Sequence, residues 1–177
     1  MNDEKEQTFQ IDLMQKIITR TDGFHNYANT KSTIIITFIT AIIAAVCANA
    51  PSAIKFLIDS NHADLAVGFK VLTFLIITAL LIAFFFVGKT VMPYVKKSEN
   101  CNIYSFIDIV GYFNSEGEYR ERFYTTSKEE LLNSMSSLQF NLAQGLVAKY
   151  YNHRIAIFFI AGAVFFIFLA LLTLLVV

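Results

Sequence analysis

The chain has 177 residues, 55% of them hydrophobic, with 18 Phe and no Trp. That is too short for several domains and too apolar for an ordinary soluble one. Fourteen Lys and Arg balance fourteen Asp and Glu, and zero net charge gives no sign of a bulk nucleic-acid binder.

From the N-terminus, Met1 to about Thr8 is charged and expected to be loose. Phe9, Leu13, Ile17, Phe24 and Tyr27 then recur at helical spacing. Residues 1–32 are therefore read as a cytosolic helix, with a bend allowed at Gly23, running into the first membrane span. Thr33 to Ala50 is an uncharged run of about eighteen residues, long enough with slight extension to cross a bilayer. It is too far from the start, and lacks a basic n-region, to be a signal peptide. Pro51 is expected to end this helix. Residues 51–68 form a periplasmic loop in which Asp59, His62 and Asp64 read as a solvated turn rather than a metal site.

The second span falls within 69–90, centred on Val71 to Gly88, and Pro93 closes it. Lys96 and Lys97 follow, at the level expected for lipid headgroups. Residues 91–154 form a cytosolic module. Ile103, Tyr104, Phe106, Ile107 and Ile109 predict a strand or extended segment. Ser115 with Glu118, and Ser127 with Glu130, have capping-box spacing and predict two helix starts. Leu131, Met135, Leu138, Leu142 and Leu146 make an amphipathic stripe. No proline separates it from the third span, 155–177. The fold class is thus a mainly α membrane protein: three transmembrane helices, the first and third extending into a small cytosolic module that includes a short extended segment. The module is expected to pack the N-terminal helix against the 128–154 helix, with residues 100–124 closing over them.

Lys and Arg concentrate before the first span and between the second and third. The positive-inside rule then places the N-terminus in the cytoplasm. Cys47 and Cys101 lie in different environments on this topology, which argues against a disulfide. HExxH, GxSxG, Walker A, CxxC and dinucleotide-binding glycine patterns are all missing from the sequence, so neither catalysis nor a cofactor is expected.

Thr33, Thr37, Thr40, Ala44 and Ala48 line one face of the first span, with Ala41 and Ala45 beside it. Such a small, mildly polar face permits close helix packing within or between protomers, or lines a pore. Threonines that bond their own preceding turn are the competing reading.

Tyr27-Ala-Asn-Thr-Lys-Ser-Thr at the entry to the first span is similar to the "alanine, aspartate, any residue, lysine, alanine" signature of the Pycsar transmembrane effectors. Asn102-Ile-Tyr-Ser-Phe-Ile-Asp-Ile, Ser115-Glu-Gly-Glu-Tyr and Gln139 through Lys149-Tyr150 resemble later landmarks of that family, in the same order. Asn29 stands where the family usually has Asp. The resemblance implies an antiphage effector of the inner membrane that responds to a cyclic nucleotide made by a partner cyclase, cyclic UMP or cyclic CMP first, then impairs the bilayer as a homo-oligomer. A cyclic nucleotide needs cations for its phosphate and an aromatic platform for its base. Asn29, Lys31, Arg120, Arg122, Lys149 and Arg154 are the candidate polar contacts, with Tyr104, Phe106, Tyr119 and Tyr150 as candidate platforms. An accessory membrane subunit that docks a cytosolic protein without binding nucleotide is the alternative, and a holin-like toxin a third.

Overall fold

A computed structural model describes residues 2–93, 96–98 and 101–177. Five helices follow in order: α1 (Asn2–Asp59), α2 (Ala63–Val91), α3 (Phe106–Tyr112), α4 (Glu116–Thr125) and α5 (Lys128–Leu175). The described residues contain no strand. Three helices, α1, α2 and α5, are long and apolar enough to cross a membrane. The chain divides into two units. The first holds residues 1–28 and 93–148, the second 29–92 and 149–177.

In the first unit α1 and α5 pack in parallel. Lys128 Nζ donates to Glu4 Oε1 at 3.3 Å and to Thr8 Oγ1 at 3.2 Å, so the expected loose N-terminus is helical from Asn2. Farther along, Gln139 Nε2 donates to Thr21 Oγ1 at 2.9 Å, and His25 Nε2 donates to the Leu142 carbonyl at 2.9 Å. The α5 stripe faces inward as expected, with Met135 buried and Leu131, Leu138, Leu142 and Leu146 half-buried.

The α1 stripe does not. Phe9, Leu13, Ile17, Phe24 and Tyr27 all stay exposed, between 38% and 66%. Ile11, Met14, Ile18, Thr21, His25 and Ala28 are the residues that turn inward. Their spacing alternates three and four, which keeps a seam facing a parallel neighbour. Small and polar members at Thr21, His25 and Ala28 give close approach and two cross-helix hydrogen bonds where Phe24 would only fill space.

The expected extended segment is a turn followed by α3. Asn102 Oδ1 accepts from the Tyr104 amide at 2.9 Å and the Ser105 amide at 3.2 Å. That side chain satisfies two backbone donors and turns the chain into a helix, overriding the β preference of so short a run. Both serines cap as expected: Glu118 N donates to Ser115 Oγ and Glu130 N to Ser127 Oγ, each at 3.2 Å, and Glu130 closes its box on the Ser127 amide while Glu118 accepts from the Asn114 amide instead.

In the second unit α1 continues through Pro51 to Asp59. Pro51 removes one helical donor, but Ala50, Ala53 and Ile54 on either side of it pack against the buried core of this unit, which holds the helix through it. The stop comes instead at Asn61, whose φ of 68° is a left-handed conformation that Asn tolerates. Only residues 60–62 separate α1 from α2, so most of the loop expected at 51–68 is helical. Ala156, Ala163 and Ala170 bury one small residue every seven along α5 against Ile39, Leu57, Ile76, Leu80 and Val87. Alanines at that spacing let helix backbones approach closely. Phe38, Phe74, Phe158 and Phe165 point outward, as lipid-facing side chains do.

Candidate functional site

Residues 96–98, Cys101, Asn102, α4 and α5 line a polar cavity of about 450 Å³ in the first unit, within the roughly 300 to 1,000 Å³ typical of small-molecule sites. Buried Asp108 positions the segment by accepting the Ser98 amide at 2.9 Å. Tyr112 Oη donates to the Ser98 carbonyl at 3.0 Å, and Asn141 Nδ2 donates to Ser98 Oγ at 3.3 Å. Asn102 Nδ2 ties the far end to α5 through the Ser134 carbonyl at 2.8 Å.

Three cations line the cavity. Lys96 Nζ donates to Gln144 Oε1 at 3.1 Å. Lys97 Nζ donates to the Gly111 carbonyl at 3.1 Å and lies 3.8 Å from the Tyr112 ring centroid. Arg122 Nη2 donates to Glu130 Oε1 at 3.1 Å. Among the described residues Glu130 is the one lining carboxylate, and its Oε2 also accepts the Ser127 amide at 3.1 Å. The Ser127 backbone and the Arg122 guanidinium hold it below the usual Glu range. Phe140, 63% exposed, supplies an aromatic face at the rim. The first unit as a whole is acidic, with eight Lys and Arg against twelve Asp and Glu. Among the described residues three of those cations converge here against one acid, an arrangement suited to a small anion.

Gly111 touches this arrangement directly. A Cβ there would lie 3.2 Å from Lys97 Cε and 3.3 Å from Nζ. Gly111→Ala should displace the flexible end of Lys97 with little loss of stability. We expect weaker binding of an anionic ligand by titration, with an unfolding midpoint close to wild type; unchanged affinity would remove Lys97 from the site.

Of the residues expected from sequence, Arg122 reaches the cavity. Tyr119 donates from Oη to the Ile103 carbonyl at 3.3 Å and packs edge-on against Phe113, a structural role. Tyr119 and Arg120 lie on a separate shallow recess of α4. Tyr104 and Phe106 do not line the cavity, and Phe106 is 75% exposed. Lys96 and Lys97 turn to the cavity and to neutral acceptors in the first unit.

Asn29, Lys31, Lys149, Tyr150 and Arg154 belong to the second unit. There Lys149 Nζ donates to Asn29 Oδ1 at 2.6 Å, and Ser32 Oγ lies 2.7 Å from His153 Nε2 in a hydrogen bond. Lys149 is 6% exposed and His153 5%. Burial pushes the Lys149 pKa down; burial, then the nearby charges of Lys31 and Lys149, push His153 below the usual histidine range. A histidine whose packed-state pKa is depressed loses stability as pH falls below its ordinary value of about 6.5, because the separated state takes up the proton first. Wild-type protein in detergent should therefore melt lower at pH 5 than at pH 7.5, by a wider margin than His153→Gln. An equal margin would exclude His153 as the titrating group.

Thr33, Thr37, Thr40, Ala44, Ala45 and Ala48 are all exposed. Thr33 Oγ1 donates to the Asn29 carbonyl, Thr37 to Thr33 and Thr40 to Ile36, so these hydroxyls are satisfied within their own helix. The face does not pack within the protomer. Cys47 and Cys101 are free thiols.

Compared with known families, residues 13–176 match the Pycsar effector protein domain. The chain belongs to that family. No curated protein and no solved structure matches it. Membership of the Pycsar effector family, together with the three long apolar helices, supports a membrane protein acting as an effector in antiphage defence.

Proposed function

We propose that this Pycsar effector resides in the inner membrane with its N-terminus and first unit in the cytoplasm, crosses the bilayer three times, and binds a cyclic nucleotide in the first unit's polar cavity. Cyclic UMP or cyclic CMP, made by a partner cyclase, is the ligand class. The convergence of Lys96, Lys97 and Arg122 in an otherwise acidic unit carries this reading. One phosphodiester charge suits such a cluster, and Phe140 offers a face on which a base can stack.

Binding would exchange neutral acceptors and Glu130 for the phosphate. Because Glu130 also closes the capping box of α5, its release from Arg122 reaches the first turn of that helix. A ligand shifts a conformational balance only through unequal affinity for the two states. Going from about 1% to 99% active takes roughly 5.5 kcal/mol of differential binding, so several nucleotides acting on one homo-oligomer are expected. The outward face of Thr33, Thr37, Thr40, Ala44, Ala45 and Ala48 serves as a contact or pore-lining surface between copies.

Reconstitution into dye-loaded liposomes tests the whole reading. Dye release that depends on cyclic UMP or cyclic CMP is the expected result. Release without nucleotide, or none with any cyclic nucleotide, would overturn it.

A further inference from the structure

The long helices of the second unit leave a hollow of about 370 Å³ between them. α1 lines it from Ile42 to Ala53, α2 from Phe69 to Ile76 and α5 from Ile167 to Leu174, each through positions that share one face of the helix. All three stripes stand toward the end of the unit where residues 60–62 turn α1 into α2. At 1.5 Å per residue the α1 stripe is about 16 Å long, half of a hydrocarbon core about 30 Å thick. Among the described residues no charged side chain lines the hollow. Asn49 and Thr73 turn their hydrogens back onto their own helices: Asn49 Nδ2 donates to the Ala45 carbonyl at 2.8 Å and Thr73 Oγ1 to the Phe69 carbonyl at 2.9 Å. Alanine keeps the space open, since Ala45, Ala50, Ala53 and Ala170 line it while Phe38, Phe56 and Phe74 of the same unit point outward.

We infer that this hollow seats one acyl chain of a membrane phospholipid, held between α1, α2 and α5 as a bound component of the protein. Packed interiors leave few voids larger than a water molecule, and water does not fill an apolar one. Length, direction and chemistry all fit an acyl chain. The stripes run along helices that cross the bilayer, as lipid chains do, and span the depth of one leaflet. An apolar wall suits an alkyl chain and offers a phosphate or a sugar nothing to bond. A second copy would bring separate side chains, whereas a slot three turns long on α1 suits one continuous chain. Once seated, the chain replaces the contacts that the alanines leave unmade, so it stabilises the packing of the three helices.

The site rests on the three-span reading and is independent of nucleotide binding. The full chain, purified in mild detergent, should carry one phospholipid per chain by native mass spectrometry. After delipidation its unfolding midpoint should rise with dipalmitoyl phosphatidylglycerol and stay put with dihexanoyl phosphatidylglycerol at the same concentration, because the two share a headgroup and differ in chain length. Ala53→Leu and Ala50→Leu fill the hollow from neighbouring turns, so each should lose the retained lipid and the response to the long chain. Leu81→Phe, on an exposed position outside the hollow, should keep both. Equal responses to the two lipids would assign the binding to the headgroup and overturn the proposal. So would a wild-type protein that neither retains lipid nor responds to it, or filled variants that respond as wild type does. If Ala53→Leu turned a dimer into a monomer with the lipid response unchanged, the hollow would belong to a second copy instead.

Discussion

Arg122→Ala is expected to weaken cyclic nucleotide binding by about 10- to 100-fold, since a hydrogen bond to a charged group contributes about 1.5 to 3 kcal/mol. Arg122→Lys should recover only part of this, because an ammonium lacks the planar fork that grips two phosphate oxygens. Glu130→Gln should tighten binding by freeing the guanidinium from its 3.1 Å partner. Both side chains of that pair are nearly half exposed, and exposed pairs add little stability. Thermal unfolding of the Arg122 variants should therefore stay near wild type while titration calorimetry records the affinity change. Wild-type affinity in Arg122→Ala would remove this cavity as the ligand site.

Asn29→Leu is expected to destabilise the protein by about 3 kcal/mol, the upper end for leaving a buried polar group unpaired. Lys149, 6% exposed, has Asn29 Oδ1 as its close acceptor at 2.6 Å. Asn29→Asp should do the reverse. It would set a carboxylate against a buried ammonium that has Lys31 and His153 nearby, and it restores the residue usual in the family signature that this stretch resembles. The unfolding midpoint in detergent should rise above wild type, and the depressed Lys149 pKa should return toward the ordinary lysine value. A midpoint below wild type in Asn29→Asp would mean that desolvating the carboxylate outweighs the attraction, and that Lys149 is held as a neutral amine.

Much of the architecture was legible in one sequence because its signals are local. Uninterrupted apolar runs marked three helices, Ser115 with Glu118 and Ser127 with Glu130 marked two helix starts, and the leucine stripe of α5 named its inner face. α1 was misread because it offers two periodic stripes. The more apolar one, through Phe9 and Phe24, faces outward, while a seam of Ile18, Thr21, His25 and Ala28 faces in. Hydrophobicity alone ranks them the wrong way round; the three-four alternation of the inner seam was the signal that could have separated them. Pro51 was given more weight than it carries in a helix packed on both sides of it, and Asn102 overrode the β-prone run after it.

The cavity was less legible. Arg122, a candidate from the sequence, lines it, but Lys96 and Lys97, next to an apolar run, carry the same pattern as headgroup-binding lysines. What turns them inward is non-local: the Gln144 amide, the Gly111 carbonyl and the Tyr112 ring. Lys31, Asn29 and Lys149 stood out as polar residues beside spans, and two of them prove to be each other's partners.

Equilibrium titration of the full chain in detergent with cyclic UMP, cyclic CMP and a panel of cyclic dinucleotides tests the central claim most directly. Saturable binding of one cyclic mononucleotide, weakened by Arg122→Ala and by Gly111→Ala but not by Arg154→Ala, is the predicted result. Folded protein that binds none of them would contradict the assignment of this cavity as a cyclic nucleotide sensor.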